Sequence, residues 1–223
     1  MLEALLPNWG RAGHLLIDAI IATLHMVGIA GLISFILGIT FGVVLVVTRK
    51  NGILENLIIY NFLDIIINVV RSIPFLILLV LLIPLSRAIV GTGFGVAGAI
   101  IPLVFGTTPF FARQIESAIA ELDSGLVEAS LAMGMSPIEI IFSVYLRESI
   151  PSIARVTQIT LINLIALTTI VGAIGAGGLG DFALEFGHRS RMTDLMWVTI
   201  FIILILVSIV QGVGNIIIKY SKK

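Results

Sequence analysis

The stretch AIIATLHMVGIAGLISFILGITFGVVLVVT at residues 19–48 decides the fold class, because its 30 residues include no Asp, Glu, Lys or Arg. An uncharged apolar run of about 18 residues or more predicts a transmembrane helix, since about 20 helical residues cross the hydrocarbon core of a bilayer. Three further runs pass this length, and a fifth is shorter but follows a largely apolar segment. The sequence therefore predicts an all-α polytopic membrane protein with five spans, at roughly 19–48, 56–86, 88–112, 151–174 and 195–218.

The overall composition points the same way. Of the 223 residues, 58% are hydrophobic and 12% are charged, whereas soluble proteins carry about 25% charged residues. The formal net charge of zero excludes the basic surface of a nucleic-acid-binding protein. The chain has no cysteine, and its three histidines are isolated in the sequence, so we expect no disulfide, no thiol chemistry and no metal site.

The positions of Lys and Arg predict the orientation of the spans. Eight of these residues fall on one side of the predicted spans and four on the other. Cytoplasmic loops carry the positive excess, so we expect the amino terminus outside and the carboxyl terminus in the cytoplasm. The first run starts too far into the chain for a cleaved signal peptide, and we expect it to be retained. This orientation makes 114–150 the largest cytoplasmic segment.

Two short helices joined by a tight turn are predicted within this segment. Residues 122–134 (LDSGLVEASLAMG) predict a helix that ends at Gly134, because glycine adopts the left-handed conformation that terminates helices. Ser136, Pro137 and Glu139 then predict a second helix that begins with a capping box and a proline in its first turn.

Small residues on the first of these helices suggest a contact with another protein. Ala129, Ser130 and Ala132 allow close backbone approach and suit a groove on a partner. The alternative is an ordinary loop helix at the membrane interface.

Polar side chains recur on one face of the second predicted span. Asp64, Asn68 and Arg71 are spaced by four and three residues, which places them on the same helical face. An ionisable residue within a span is a functional candidate. Arg71 has two interpretations, a pathway or gate residue and a structural ion pair with Asp64. In the fourth span, Thr160 and Asn163 line either a water-accessible pathway or a hydrogen-bonded helix interface.

A stripe of small residues marks the first span. Gly28, Gly31, Gly38 and Gly42 recur three to seven residues apart, and helices in lipid associate through such stripes. We interpret them as helix-packing residues, with a substrate path along the stripe as the alternative.

Nucleotide binding and catalysis are not expected on this chain. Gly175, Gly177 and Gly180 satisfy G-x-G-x-x-G, but they follow a predicted span rather than the strand that dinucleotide binding requires, and we expect a turn there. No lysine follows a glycine, so no phosphate-binding P-loop is present. No nucleophile, base and orienting group stand at a recognisable spacing, so we expect no enzyme.

The loop carries a resemblance to a known family. Glu128, Ala129 and Ser130, with Gly134 six residues after the glutamate, resemble the EAA loop of ABC importer permeases. Ser130 replaces the usual second alanine, and Arg147 stands where the family usually has proline. The resemblance implies a type I importer permease with one transmembrane domain over 1–223. It also implies that Glu128 to Ser130, Gly134, Ser136 and Pro137 dock onto a separate ATPase.

Further blocks narrow the resemblance to methionine importer permeases. These are RSIPF at 71–75, IP at 83–84, RAIVGT at 87–92 and GAIGAGGLG at 172–180. The resemblance implies a homodimeric permease in the inner membrane of a prokaryote, an extracytoplasmic methionine-binding lipoprotein, and two ATPase subunits that hold ATP and Mg²⁺. An importer of another small solute is the main alternative. A stand-alone channel or carrier is a weaker one, because the chain shows no convincing internal repeat.

Overall fold

The computed structural model describes residues 6–221, and every regular element in that range is helical. The α-helices are α1 (Trp9–Ala12), α2 (Leu15–Thr48), α3 (Leu57–Ser72), α4 (Phe75–Val90), α5 (Gly95–Ala120), α6 (Ser124–Ala132), α7 (Pro137–Ile140), α8 (Ile150–Val171), α9 (Gly178–Phe182) and α10 (Thr193–Ser221). Three π-helical segments join them, π1 (Ile141–Leu146), π2 (Gly172–Ala176) and π3 (Ala183–Arg189).

Four helical segments of the described chain are long and apolar enough to cross a membrane. They are Leu15–Thr48, Gly95–Ala120, Ile150–Ala176 and Thr193–Ser221, and α3 with α4 makes a fifth if the bent pair counts as one span. The all-helical fold class and the several apolar helices agree with the prediction.

The segment predicted as one span at 56–86 is instead two helices. The chain leaves helical geometry at Ile73 and Pro74 and bends there. Proline has no N–H to donate, and it disfavours the α conformation of the residue before it, so a helix ends readily at this point. Pro84, in contrast, lies inside α4.

The helix that corresponds to the predicted third span, 88–112, begins and ends later in the sequence than predicted. The first residues of the predicted span belong to the end of α4, which Gly91 terminates with a φ of 80°. Helix α5 begins at Gly95 and continues past the uncharged run to Ala120. Arg113 and Glu116 are compatible with this longer helix because they pair with each other at 2.5 Å.

The described chain forms two compact units. The first contains the chain through Ile33, Ile73–Gly106 and Leu161–Val210, and the second contains Ser34–Ser72, Thr107–Thr160 and the chain from Gln211 onward. One core of the first unit consists of Ala12, Leu16, Ala19, Leu179, Phe182 and Leu195. The larger core of the second consists of Val46, Val47, Phe111, Ile115, Ile119, Ile140, Val144 and Tyr145.

Glycines bring α2 and α5 together in the second unit. A Cβ placed on Gly42 meets Ile115 Cγ2 at 2.5 Å, and a Cβ on Gly38 collides with the Phe111 ring. The second contact lies four residues after the first on both helices, so α2 and α5 run in the same direction and their successive turns face each other. The position of Gly28 has no neighbouring atom within 4 Å, so this end of the stripe is not used for packing within the described chain.

Candidate functional site

The hairpin at 124–146, which consists of α6, a turn, α7 and π1, is the main candidate site. Helix α6 begins after Asp123, whose side chain accepts a hydrogen bond from the Gly125 N–H at 2.9 Å. Its last residue is Ala132, so it is shorter at each end than the predicted 122–134. The difference arises because Asp123 is used as the cap and not as part of the helix.

A left-handed glycine ends α6 as predicted. Gly134 has a φ of 82°, and its N–H donates to the Leu131 carbonyl at 3.0 Å. The next N–H, that of Met135, donates to the Ser130 carbonyl at 3.1 Å. These two bonds use carbonyl groups that the end of a helix otherwise leaves without partners. They also fix the direction in which the chain leaves α6.

The predicted capping box starts the second helix. The Ser136 N–H donates to Glu139 Oε2 at 2.7 Å, and the Glu139 N–H donates to Ser136 Oγ at 3.4 Å. Pro137 occupies the first turn. The backbone N–H of Ser136, and then its hydroxyl, bind the ionised carboxylate and hold the pKa of Glu139 below its ordinary value.

The inner side of the hairpin is anchored in the core of the second unit. Ile140, Val144 and Tyr145 are buried against Val46, Val47 and Ile119 of α2 and α5. Ser130 is also buried, and its hydroxyl donates to the Leu126 carbonyl at 2.7 Å. The hairpin is therefore packed directly against the ends of α2 and α5.

The outer side of the hairpin is exposed and apolar. Met133 is 73% exposed, and Ile138 and Phe142 are each 67% exposed. We call the exposed apolar residues of the hairpin, taken together, the outer face; they are Leu126, Leu131, Met133, Ile138 and Phe142. Glu128 and Ala129 are exposed as well. Exposed apolar residues on an ordered element mark a candidate contact surface.

A cavity of about 210 Å³ lies under α6 within the second unit. Its lining residues are Arg49, Asn51, Gly52, Ile53, Ile119, Leu122, Ser124, Val127, Glu128, Leu131 and Tyr145. Burial raises the pKa of the Tyr145 phenol, and the positive charge of Arg49 offsets part of this rise.

The polar residues of α3 meet a partner that sequence reasoning missed. Arg113 of α5 contacts Asp64 Oδ1 at 2.5 Å and Asn68 Oδ1 at 3.1 Å, and its other terminal nitrogen contacts Glu116 Oε2 at 2.5 Å. The Asn68 amide also donates to Asp64 Oδ2 at 3.0 Å. Asp64 is therefore paired with Arg113 and not with Arg71.

Arg71 is exposed and has no ion-pair partner within residues 6–221. The hypothesis of an Asp64–Arg71 pair fails because two helical turns separate these residues, about 10 Å along the axis. The position of Arg113 at the end of an uncharged run was visible in the sequence. Its contact with a residue 49 positions earlier was not.

The other two predicted pathway residues, Thr160 and Asn163, belong to α8. Thr160 of α8 is buried, and its hydroxyl donates to the Val156 carbonyl at 2.8 Å, within its own helix. Asn163, also of α8, is half-buried.

The glycine-rich segment after α8 contains a break at Gly175 and Gly177, where we expected a turn, whereas Gly180 lies in helix α9. The chain leaves helical geometry at Ile174 and Gly175. The Leu179 N–H then donates to the Thr23 hydroxyl at 2.9 Å inside the first unit.

Comparison with known proteins assigns the chain to a family. Residues 38–220 match the family model described as binding-protein-dependent transport system inner membrane component. A Vibrio cholerae serotype O1 protein named "Probable D-methionine transport system permease protein MetI" is 45% identical over 205 residues, covering 92% of this chain and 91% of that protein.

Solved structures agree with this match. The inward-facing MetNI methionine ABC transporter superposes with a TM-score of 0.92 at 39% identity, covering 95% of this chain and 98% of that chain. An amino acid ABC transporter crystallised with histidines gives a TM-score of 0.78 at 19% identity, covering 96% and 98%, and supports the fold alone. The helical architecture and a match over most of the sequence lead to one conclusion: the chain belongs to the family of binding-protein-dependent transport system inner membrane components.

Proposed function

We propose that this chain is the transmembrane permease subunit of an ATP-driven methionine importer. Two findings support the substrate. The Vibrio cholerae relative, which carries D-methionine in its name, aligns over 92% of the chain, and the MetNI methionine transporter shares the fold with a TM-score of 0.92. The apolar helices would form the translocation pathway, with Thr160, Asn163 and Arg71 as candidate lining or gating residues.

The outer face of the hairpin is the observation that carries the coupling role. Its exposed apolar side chains belong to the same hairpin as the exposed Glu128 and Ala129, while Ile140 and Val144 of that hairpin are buried against α2 and α5. A partner that binds the outer face can therefore displace the ends of two spans. In this proposal a separate ATPase docks there on the cytoplasmic side, and ATP binding favours one permease conformation over the other.

The complete importer in this proposal has more subunits. A second copy of the chain completes the pathway, two ATPase subunits bind ATP with Mg²⁺, and an extracytoplasmic lipoprotein delivers methionine. The chain is the transport component and has no catalytic role of its own.

The test is accumulation of labelled methionine in proteoliposomes that contain the chain with the ATPase and binding protein encoded next to it. We expect uptake that requires ATP. Met133→Glu should reduce it at least about tenfold, which corresponds to about 1.4 kcal/mol of lost docking free energy, because it places a charge in the outer face. Met133→Leu, which keeps the apolar volume, is the matched control and should retain uptake.

Each alternative gives a distinct result. ATP-independent uptake by the chain alone would contradict the importer and indicate a channel or carrier. ATP-driven uptake of a different solute would remove methionine but leave the architecture. Full uptake by Met133→Glu would contradict docking at the outer face.

A further inference from the structure

Helix α3 is weakly held by apolar packing. Of its residues only Ile67 is buried; it lies in a small core with Leu45 and Ala112, against which the partly buried Tyr60 and Leu63 also pack. Most other apolar side chains of the helix are exposed, including Ile65 at 61%. Polar contacts therefore add to the few apolar contacts that hold α3 in the second unit.

The Arg113 cluster supplies these contacts. One guanidinium group binds Asp64 and Asn68 of α3 and also Glu116 of α5. The side chains of Asp64, Arg113 and Glu116 are 29%, 23% and 12% exposed. Ion pairs with restricted access to water are screened less than surface pairs, and a guanidinium that binds several oxygens fixes geometry as well as charge.

The same stretch of α5 leads directly to the hairpin. After Arg113, the helix continues through Ile115 and Ile119, which pack against the hairpin residues Ile140 and Val144. It ends at Ala120, two helical turns after Arg113 or about 10 Å. Helix α6 starts four residues after that end. Arg113 thus stands on a continuous helical segment whose other end contacts the candidate docking element.

We propose that Arg113 is a positioning residue of the coupling machinery that joins α3 to the hairpin, so that a displacement of the hairpin by an ATPase moves α3 with it. The inference rests on the proposed function for the source of the displacement. It assigns to Asp64 and Asn68 the role of attachment points for Arg113, in place of a gate. Without the Arg113 contacts, α3 keeps the Ile67 core and the backbone connection of its start to α2, and we expect its middle to follow the hairpin less closely.

Site-directed spin labelling tests this directly, because the chain has no cysteine of its own. One label is placed at Ile65→Cys on the exposed side of α3, and another at Ser124→Cys at the start of α6. Each is attached before assembly with the ATPase in proteoliposomes. In the otherwise unsubstituted chain, we expect Mg-ATP to change the spectra of both labels.

In Arg113→Met, which keeps side-chain length but removes charge and donors, the Ser124 label should respond as before and the Ile65 label should lose its response. Methionine accumulated per ATP hydrolysed should fall at least fivefold while ATP hydrolysis continues. Arg113→Lys, which keeps the charge, should restore at least half of the Ile65 response. Asp64→Asn provides a second, nearly isosteric variant if Arg113→Met does not assemble.

The control breaks a similar ion pair elsewhere. Arg189 pairs with Glu185 at 2.8 Å on an exposed surface, and Arg189→Met should leave both label responses unchanged. An Ile65 response of full amplitude in Arg113→Met would overturn the proposal while leaving hairpin docking intact. A Ser124 label that does not respond to Mg-ATP in the unsubstituted chain would instead overturn hairpin docking, and the inference with it.

Discussion

Replacing Gly134 by valine should uncouple ATP hydrolysis from transport while leaving membrane insertion intact. Gly134 has a φ of 82°, and a Cβ added there meets no atom within 4 Å. The cost is therefore backbone strain alone, about 1–2 kcal/mol for a side chain in the left-handed region. A change of this size shifts the equilibrium between the native turn and a relaxed one by about 5- to 30-fold.

The relaxed turn should affect the hairpin specifically. Leaving the left-handed conformation breaks the bonds from the Gly134 and Met135 N–H groups to α6, which fix its orientation relative to α7. Asparagine tolerates the left-handed region better than other residues, so Gly134→Asn should retain most of the coupling. Gly91 provides a matched control, because it has a φ of 80°, equally open surroundings and a position outside the hairpin.

The assay is methionine accumulated per ATP hydrolysed in proteoliposomes. We expect Gly134→Val to lower this ratio by up to about the 5- to 30-fold factor of the strained turn, Gly134→Asn to lie close to the unsubstituted chain, and Gly91→Val to keep the ratio. Equal loss in the Gly134 and Gly91 valine variants would refute the reasoning, because general backbone strain would then explain the effect. Equal activity of the valine and asparagine variants at Gly134 would refute the conformational argument itself.

Three further predictions concern stability. Gly42→Leu should lower the melting temperature in detergent, since its Cβ lies 2.8 Å from the Ala112 carbonyl oxygen and overpacking costs about 1–3 kcal/mol; Gly28→Leu, with open space, should not. Because the pKa of Glu139 is lowered, its ionised side chain stabilises α7 fully above the ordinary carboxyl pKa, and this stabilisation is lost as the pH falls through the pKa of Glu139 in the folded protein. Hydrogen exchange of α7 should therefore increase in acid, and Glu139→Gln should abolish this pH dependence. Burial, followed by the charge of a nearby glutamate, raises the pKa of Asp181. Its ionised form therefore opposes folding, and the stability of the protein should rise as the pH falls through that raised pKa. Asp181→Asn should raise the melting temperature at neutral pH, and an unchanged melting temperature would contradict the raised pKa of Asp181.

Local signals in the sequence were sufficient for the hairpin. The capping box at Ser136 and the left-handed turn at Gly134 depend on residues within a few positions of each other. The distribution of charges predicted the spans less reliably, because the sequence stays apolar on both sides of Pro74 although the helix breaks there. It also placed the end of the third span at the first charge, whereas helix α5 continues through Arg113 to Ala120.

Contacts between distant residues could not be predicted in this way. Helical spacing correctly put Asp64 and Asn68 on one face, but it says nothing about which residue of another helix lies opposite. The nearest basic residue on the same face was Arg71, whereas the structure brings in Arg113 from α5. The glycine stripe shows the same limit, since Gly28 and Gly42 look equivalent in sequence and have different surroundings.

The π-helical segment Ile141–Leu146 has an evolutionary and engineering consequence. A π turn holds about one residue more than an α turn, as if a residue had been inserted into a regular helix. Removing one residue there would restore regular geometry and rotate α6 and α7 by about 100° relative to the chain after Leu146. The segment therefore sets the rotation of the hairpin helices about the axis of the helix that follows. Gain or loss of a single codon there would change which side chains of the hairpin are exposed, and under the proposed docking it would alter the recognition of an ATPase.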